Sequence, residues 1–332
     1  MIAGYLAEAR GRHAAAARAA GAHVVDLAVA GRAIRLRFAG PALVGHVVPA
    51  LAHLIAPMPA GDPDLTIELF DTVSTGVPML GPAWSIGELP ASGEIPGSTR
   101  RLRAVFRLST GMLILLDLDA RVGLVWLRDA AQFDCYEAAS PLRHLLFAYF
   151  EETGLCLVHA AAVGGVLLGG RGGSGKSTTA LLGLAAGIDY AGDDQVLVDP
   201  AGLTAHCLYG TAKVLPATLV RFPSLAPIFA AAAPAAPGEK LVAFVGRRVA
   251  RTMPVRAIVL PFVTAAARST LSPMPRAAAL RGLAASTVLQ QPGAGSTTLG
   301  AVARMTATVP SFRLALGADV DEISRIIDGV AR

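Results

Sequence analysis

The sequence predicts an α/β protein in which a small α+β domain precedes a domain built around a glycine-rich loop. The 332 residues are enough for two domains, and 53% of them are hydrophobic. Several alternating apolar segments, typical of strands, lie between His23 and Arg128. Val166–Leu184 has the pattern of a short strand, a glycine-rich turn and an Ala/Leu-rich helix. We expect the domain boundary between residues 138 and 139, because a new helix begins at Ser140-Pro141.

The first domain, residues 1–138, alternates predicted helices and strands. Gly31-Arg32 joins two alternating segments and indicates a hairpin. Residues 73–99 are rich in Gly, Pro and Ser and predict a long loop. Three closely spaced strands after it suggest an antiparallel meander. The predicted helices are 1–21 and 41–55, and the predicted strands are 23–30, 33–39, 64–71, 101–109, 112–118 and 123–128.

The glycine-rich turn has the spacing of a phosphate-binding loop. Gly170, Gly175, Lys176 and Ser177 form the pattern G-x-x-x-x-G-K-S between a strand and a helix. Glycines let backbone N–H groups turn inward around an anion, and the helix N-terminus adds partial positive charge. We expect Lys176 at the β- and γ-phosphates of a nucleotide and the Ser177 hydroxyl at Mg²⁺. Arg171 could contact the nucleotide phosphate or face solvent, and we favour solvent. A glycine-rich turn that matches by chance is the alternative. The predicted nucleotide-binding residues are Gly170, Gly172, Gly173, Ser174, Gly175, Lys176, Ser177 and Thr178.

The residues after this loop return the chain to the same end of the sheet. A helix over residues 176–186 covers roughly 17 Å, and the strand Ile188–Gly192 covers a similar length. A right-handed crossover makes this strand parallel to the one before the loop. Asp193 and Asp194 therefore arrive beside the loop, where carboxylates can hold Mg²⁺ or accept a hydroxyl proton. An Asx turn that only ends a strand is the alternative.

The rest of the second domain, residues 139–332, follows the same mixed pattern. Leu155–Val163 and Val166–Leu168 predict a hairpin-like pair, and Leu208–Lys213 predicts a turn of small residues. The Pro/Ala-rich residues 222–239 suggest a lid or substrate-contact segment, and residues 290–296 a loop. The other predicted helices are 140–152, 276–285, 299–308 and 319–329, and the other strands are 196–198, 203–207, 241–245, 257–261 and 312–316.

Composition narrows the classes of partner and compartment. The net charge of +5 is compatible with an acidic or phosphorylated partner, but the charge is dispersed and no nucleic-acid motif accompanies it. No apolar run is long enough to span a membrane, and the N-terminus lacks a signal pattern. Three widely spaced cysteines argue against a disulfide framework and predict small buried side chains in a reducing cytoplasm. The sequence neither predicts nor excludes a homo-oligomer.

Lysine is rare in this chain. Only three of the 29 basic residues are lysine: Lys176, Lys213 and Lys240. A compact ammonium approaches phosphate as a point charge, a role that arginine fills differently. Lys213 and Lys240 are therefore candidates for contact with substrate or phosphate in the pocket of Lys176. Chance retention, and a solvated turn at Glu239-Lys240, are the alternatives.

Residues 156–199 resemble the catalytic domain of the HPr serine kinase/phosphorylase family. The segment from His159 through the loop to Gly192-Asp-Asp carries the resemblance. Within this family, the segment more closely resembles the stand-alone HPr-kinase-like proteins of lasso-peptide biosynthesis. The resemblance implies an ATP- and Mg²⁺-dependent serine kinase acting on a peptide or small protein. By matching position, it gives active-site places to His159, Lys176, Ser177, Asp193 and Asp194. Asp193 would be the general base, and Asp194 would hold the metal with Ser177. A satisfied core histidine is the alternative for His159.

Two departures from the family pattern keep other functions open. No acidic residue lies between Asp199 and Glu239, so the family's additional metal-binding glutamate has no match. The family's basic substrate-binding loop is not recognisable either. A precursor peptide is thus the favoured acceptor, and an HPr-type regulatory kinase/phosphorylase is one alternative. A nucleotide-gated binding module without phosphoryl transfer is another.

Overall fold

The computed structural model describes residues 1–58, 61–236, 238–288 and 295–330. The chain forms two compact units, Met1–Tyr149 and Phe150–Arg332. This division falls later than the predicted boundary at 138/139. The helix that follows the boundary belongs largely to the first unit, where a Cβ on Gly123 would lie only 2.5 Å from the Leu145 side chain.

The first unit contains a six-stranded mixed sheet in the order β1-β2-β3-β6-β5-β4. The hairpin around Gly31 and the antiparallel meander of the last three strands are confirmed, whereas β3 pairs in parallel with β2 and with β6. The strands are β1 (Ala22–Val29), β2 (Arg32–Ala39), β3 (Leu65–Asp71), β4 (Leu102–Arg107), β5 (Met112–Asp117) and β6 (Val122–Leu127).

The helices of this unit pack on the sheet through small and aliphatic side chains. Ile2, Leu6 and Ala9 of the first helix join Leu113 and Leu115 in one apolar cluster. The helices are α1 (Ile2–Ala20), α2 (Val44–Leu51), α3 (Thr72–Thr75), α4 (Cys135–Ala139) and α5 (Arg143–Glu152), the last of which crosses the division between the units.

The described residues of the second unit form three sheets. A six-stranded mixed sheet has the order β10-β8-β9-β16-β18-β17, a four-stranded sheet the order β15-β12-β11-β7, and β13 pairs with β14 alone. Its strands are β7 (Cys156–Val158), β8 (Ala161–Val163), β9 (Val166–Leu168), β10 (Tyr190–Gly192), β11 (Val196–Asp199), β12 (Thr204–His206), β13 (Thr211–Val214), β14 (Leu241–Phe244), β15 (Thr252–Pro254), β16 (Ala257–Val263), β17 (Thr270–Pro273) and β18 (Ser311–Leu316).

Helices cover the six-stranded sheet of this unit on both faces. Alternate residues of β9 point to opposite cores, because Val166 and Leu168 belong to one apolar cluster and Leu167 to another. The first core includes side chains of α6 and α10, and the second includes side chains of α8 and α9. The helices are α6 (Lys176–Ala185), α7 (Pro216–Arg221), α8 (Arg276–Val288), α9 (Ser296–Thr308) and α10 (Val320–Val330).

Strand direction at the glycine-rich loop is as predicted. β10 pairs antiparallel with β8, and β8 pairs antiparallel with β9. β10 therefore runs in the same direction as β9, with β8 between them. The carboxyl ends of β9 and β10 lie at the same edge of the sheet, and this edge carries the loop and the aspartate pair.

Three predicted elements of the second unit are wrong. The run 155–163 is not one strand, since β7 pairs with β11 in another sheet and only β8 forms the hairpin with β9. The predicted turn 208–213 ends in a strand that includes Lys213. Residues 222–229 are not a lid, because Phe222, Leu225 and Phe229 are buried in a core cluster. Most of the predicted loop 290–296 lies outside the described residues, and its last residue, Ser296, begins α9.

Two further sequence predictions have mixed outcomes. Among the described residues, none of the helices combines the length and apolar character that a membrane span requires. Cys156 and Cys207 are buried as expected, whereas Cys135 is exposed because it lies in the first turn of the short surface helix α4.

Candidate active site

The glycine-rich loop connects the end of β9 to the first turn of α6. Gly170, Gly173 and Gly175 all have positive φ angles, of 125°, 76° and 100°. Only glycine adopts such angles without strain. At Gly175 the space is restricted as well, because a Cβ would lie 2.3 Å from the Leu316 side chain. The spacing of these glycines in the sequence is therefore explained by the backbone conformation of the loop.

Lys176 folds back over this loop. Its Nζ donates to the carbonyl oxygens of Gly170 and Arg171, at 2.6 and 3.1 Å. Burial lowers the pKa of Lys176, the carboxylates of Asp193 and Asp194 oppose this, and Lys240 adds to it. The Arg171 side chain is exposed, as predicted.

Asp193 lies directly after β10 and contacts the first turn of α6. The Ser177 hydroxyl donates to its Oδ1 at 2.9 Å, and its Oδ2 is buried with no hydrogen-bond partner among the described residues. Burial raises the pKa of Asp193, the charge of Asp194 adds to this, and Lys213 opposes it. An unpartnered buried carboxylate oxygen is unusual, and it could coordinate a cation or accept a hydrogen bond.

Asp194 pairs with two side chains other than Ser177. His159 Nε2 lies 2.9 Å from its Oδ1, and Lys213 Nζ donates to its Oδ2. Burial alone would raise the pKa of Asp194, but the hydrogen bond from His159 and the ammonium of Lys213 hold it well below its usual range. Its φ of 71° is rare outside glycine and asparagine. Such strained backbone clusters at functional sites.

Most of these residues line one cleft of about 300 Å³, although Gly170 is not in its lining. Its lining includes all three lysines of the chain, so Lys213 and Lys240 lie in the pocket of Lys176, while their contact with substrate or phosphate stays a prediction. Asp194 lines the cleft, whereas Asp193 does not. The other predicted residues in its lining are His159, Gly172, Gly173, Ser174, Gly175, Ser177 and Thr178.

The cleft has an apolar side that the sequence analysis missed. Leu215 and Val263 line it although their side chains are 45% and 52% exposed. Val214 and Thr218 are also in the lining. No motif marks these residues. What indicates a role for Leu215 and Val263 is that two exposed aliphatic side chains lie beside a charged cleft. This arrangement can be recognised from the folded structure but not from the sequence.

The donor atoms around Ser177 are compatible with Mg²⁺. Mg²⁺ prefers oxygen ligands and keeps several waters, and it is bound by one or two protein groups plus substrate phosphates. The hydroxyl of Ser177 and the unpartnered Oδ2 of Asp193 are such oxygens. The part of the chain that the structure describes contains no cluster of three or more His, Cys, Asp or Glu suited to a metal held by protein alone.

The chain matches no protein-family model, and a search of curated proteins found no significant match. The resemblance to HPr kinases is therefore carried by the motif residues alone and stays a prediction.

Proposed function

We propose that the C-terminal unit binds Mg²⁺-ATP and transfers the γ-phosphoryl group to a serine hydroxyl of a peptide. The observation that carries this proposal is the contact between Ser177 and Asp193, with Asp194 and three lysines in the lining of the cleft beside Ser177. A loop for phosphates, oxygens for a metal and a second carboxylate facing the cleft are the parts that phosphoryl transfer requires. As part of this proposal, the C-terminal unit has the fold of a P-loop HPr-kinase-like domain.

The loop would bind the nucleotide phosphates. Its backbone N–H groups and the N-terminus of α6 supply fixed positive potential, and Lys176 adds a full charge. Among the described residues, Lys176 donates only to carbonyl oxygens and forms no ion pair. Phosphate oxygens would therefore gain this ammonium without breaking a salt bridge.

Ser177 and Asp193 would hold the Mg²⁺. The motif predicts that Ser177 and Asp194 hold the metal together, but the carboxylate that contacts Ser177 is Asp193. We therefore propose that the two aspartates have the reverse of the predicted roles. The ion would neutralise charge that develops on the transferring phosphoryl oxygens.

Asp194 would receive the proton of the acceptor. The acceptor oxygen forms a bond to the γ-phosphorus, the bond to the ADP oxygen breaks, and ADP leaves with that electron pair. The hydroxyl proton passes to Asp194, which is the aspartate that lines the cleft. His159 and Lys213 hold this carboxylate ionised and fixed in position. In a loose transition state, a weak base that mainly orients the hydroxyl suffices.

Two observations favour a peptide as the acceptor. The motif residues resemble kinases of lasso-peptide biosynthesis, for which the acceptor is a precursor peptide. The exposed Leu215 and Val263 beside the cleft suit apolar side chains next to an acceptor serine. A small polar acceptor would not use them.

The test compares wild type, Lys176→Ala and the matched control Arg171→Ala. Calorimetry measures Mg²⁺-ATP affinity, and mass spectrometry measures phosphate transfer to serine peptides with apolar flanking residues. We expect Lys176→Ala to weaken binding about tenfold or more, since a charged hydrogen bond is lost. Arg171→Ala removes an exposed cation of the same loop and should bind normally. Equal affinity in wild type and Lys176→Ala would contradict the nucleotide site. Tight ATP binding without transfer to any peptide would favour a binding module instead.

A further inference from the structure

The N-terminal unit contains a cavity that the proposed phosphoryl transfer does not use. Its volume is about 450 Å³, within the usual range of small-molecule sites. The rings of Tyr5, Trp84, Phe106 and Trp126 are in its lining, and all four side chains are half-buried. Trp84 and Trp126 are the only tryptophans of the chain. All four rings also pack against the apolar core cluster of this unit, so they line the cavity while they are anchored to the core.

Two polar atoms in this lining lack partners. Trp84 Nε1 and Thr110 Oγ1 are buried and make no hydrogen bond among the described residues. The neighbouring polar groups are satisfied, since Trp126 Nε1 donates to Thr72 Oγ1 at 3.0 Å and the Tyr5 hydroxyl donates to a backbone carbonyl. An indole N–H can only donate. A ligand group that pairs with Trp84 Nε1 would therefore have to be an acceptor.

The charge of the cavity comes from one side chain. Arg128 is exposed and is the single charged residue in the lining. Among the described residues, its guanidinium has no ion pair. A guanidinium without a carboxylate partner at the edge of an apolar pocket suits an anion, and carboxylate geometry fits it best.

We propose that this cavity binds a small anionic ligand consisting of a ring-sized apolar group joined to a carboxylate. The apolar group would lie among the four aromatic rings, the carboxylate would pair with Arg128, and an acceptor atom would reach Trp84 or Thr110. The same chemistry occurs in a free aryl-alkyl acid and in a peptide that ends in an apolar residue. The cavity is a binding site of the N-terminal unit and does not depend on the kinase activity proposed above.

Tryptophan fluorescence is a direct assay, because both tryptophans of the chain lie in this cavity. The full chain is titrated with 3-phenylpropanoate and with the uncharged 3-phenylpropan-1-ol, and calorimetry is run in parallel. We expect a saturable change with the acid and affinity about fivefold weaker for the alcohol, the size of one exposed ion pair. Arg128→Gln should abolish this preference, whereas Arg18→Gln, a change at an exposed arginine outside the lining, should keep it.

Two further measurements identify the source and the acceptor contact. N-acetyl-Gly-Phe and its C-terminal amide test the peptide form, and binding of the acid but not of the amide assigns a peptide C-terminus. Trp84→Phe keeps a ring but removes the N–H donor. It should lower the affinity for the acid, and the fluorescence of Trp126 still reports binding. The proposal is overturned if neither acid gives saturable binding at millimolar concentration. Equal affinity of Arg128→Gln and wild type for the acid, with both folded by circular dichroism, overturns it as well.

Discussion

Replacing each aspartate of the pair by asparagine separates metal binding from phosphoryl transfer. Asparagine keeps the size of aspartate and removes its charge. Asp193 contacts Ser177 beneath the loop, whereas Asp194 faces the cleft between His159 and Lys213. The two substitutions should therefore change different measurements.

Asp194→Asn should cut transfer about 10²-fold or more, which is the usual contribution of a general base. Mg²⁺-ATP affinity should change only a few-fold, because the contacts of Asp194 are with His159 and Lys213 rather than with Ser177. Asp193→Asn should instead weaken Mg²⁺-dependent ATP binding roughly tenfold to a hundredfold. That range corresponds to the loss of about 1.5–3 kcal/mol for an interaction with a charged group.

Protein stability gives an internal control. Asp194→Asn leaves Lys213 and His159, both with side chains 7% exposed, without their carboxylate. Breaking a fully buried pair costs about 3–5 kcal/mol. The Asp194 side chain is 27% exposed, so we expect about 1–2 kcal/mol once solvent screening is included. Thermal unfolding should then show a Tm lower by about 2–8 °C, with the variant still folded at assay temperature.

The assay is calorimetry with ATP, with Mg²⁺ and with EDTA, beside mass-spectrometric measurement of transfer at saturating ATP. The reasoning is refuted if Asp194→Asn transfers phosphate at the wild-type rate. It is also refuted if Asp193→Asn keeps its Mg²⁺ dependence while transfer collapses. That second pattern would return the base to Asp193, as the motif alone suggested.

Three further predictions concern the loop and the pH dependence of stability. Gly175→Ala should abolish ATP binding or destabilise the unit by more than about 1–2 kcal/mol, because residue 175 has a positive φ and a Cβ there would clash with Leu316. Gly172→Ala should bind ATP normally, because a Cβ at residue 172 meets open space. Calorimetry compares the ATP affinities of the two variants, and equal affinities would contradict the loop geometry. Burial lowers the pKa of His144 to about 3, and Arg107 donates a hydrogen bond to the neutral ring. Between about pH 6.5 and 3 the unfolded state therefore binds a proton at His144 that the folded state does not. The free energy of unfolding should then fall as the pH drops through this range. Denaturant unfolding of wild type and His144→Gln measures this, and an equally steep decline in the variant would exclude His144 as its source. The pKa of Asp194 is lowered, so its pairs with His159 and Lys213 contribute stability that is complete above about pH 3.9 and is lost at lower pH. In the same denaturant experiment, the stability of Asp194→Asn should therefore depend less on pH in this acidic range.

The loop and the direction of the strands around it could be predicted because both are local. The glycine positions determine the loop conformation, and the lengths of α6 and β10 determine where Asp193 and Asp194 arrive. The order of the strands could not be derived in this way. β8 lies between β9 and β10 because of pairing with residues on both sides of it in the chain, and periodicity does not contain that information.

Segments with unusual composition were harder to interpret. Residues 222–239 are rich in proline and alanine, and this composition suggested a lid or substrate-contact segment. In the structure Phe222, Leu225 and Phe229 are buried in the core that includes α6. Proline ends regular structure but does not prevent burial, because a short 3-10 helix over Pro223–Ile228 satisfies part of the backbone.

The contacts of Asp194 explain why its role could not be derived from the motif. His159 follows β7 of the four-stranded sheet, Asp194 follows β10 of the six-stranded sheet, and Lys213 lies on β13 of the two-stranded sheet. The three side chains meet only because three sheets end beside the same cleft. The hydrogen bond with His159 and the ammonium of Lys213 then hold Asp194 ionised and fixed in position, while Asp193, which contacts Ser177, keeps one oxygen without a partner among the described residues. The adjacent aspartates thus differ in burial, partners and pKa, and this difference in environment supports separate chemical roles for them.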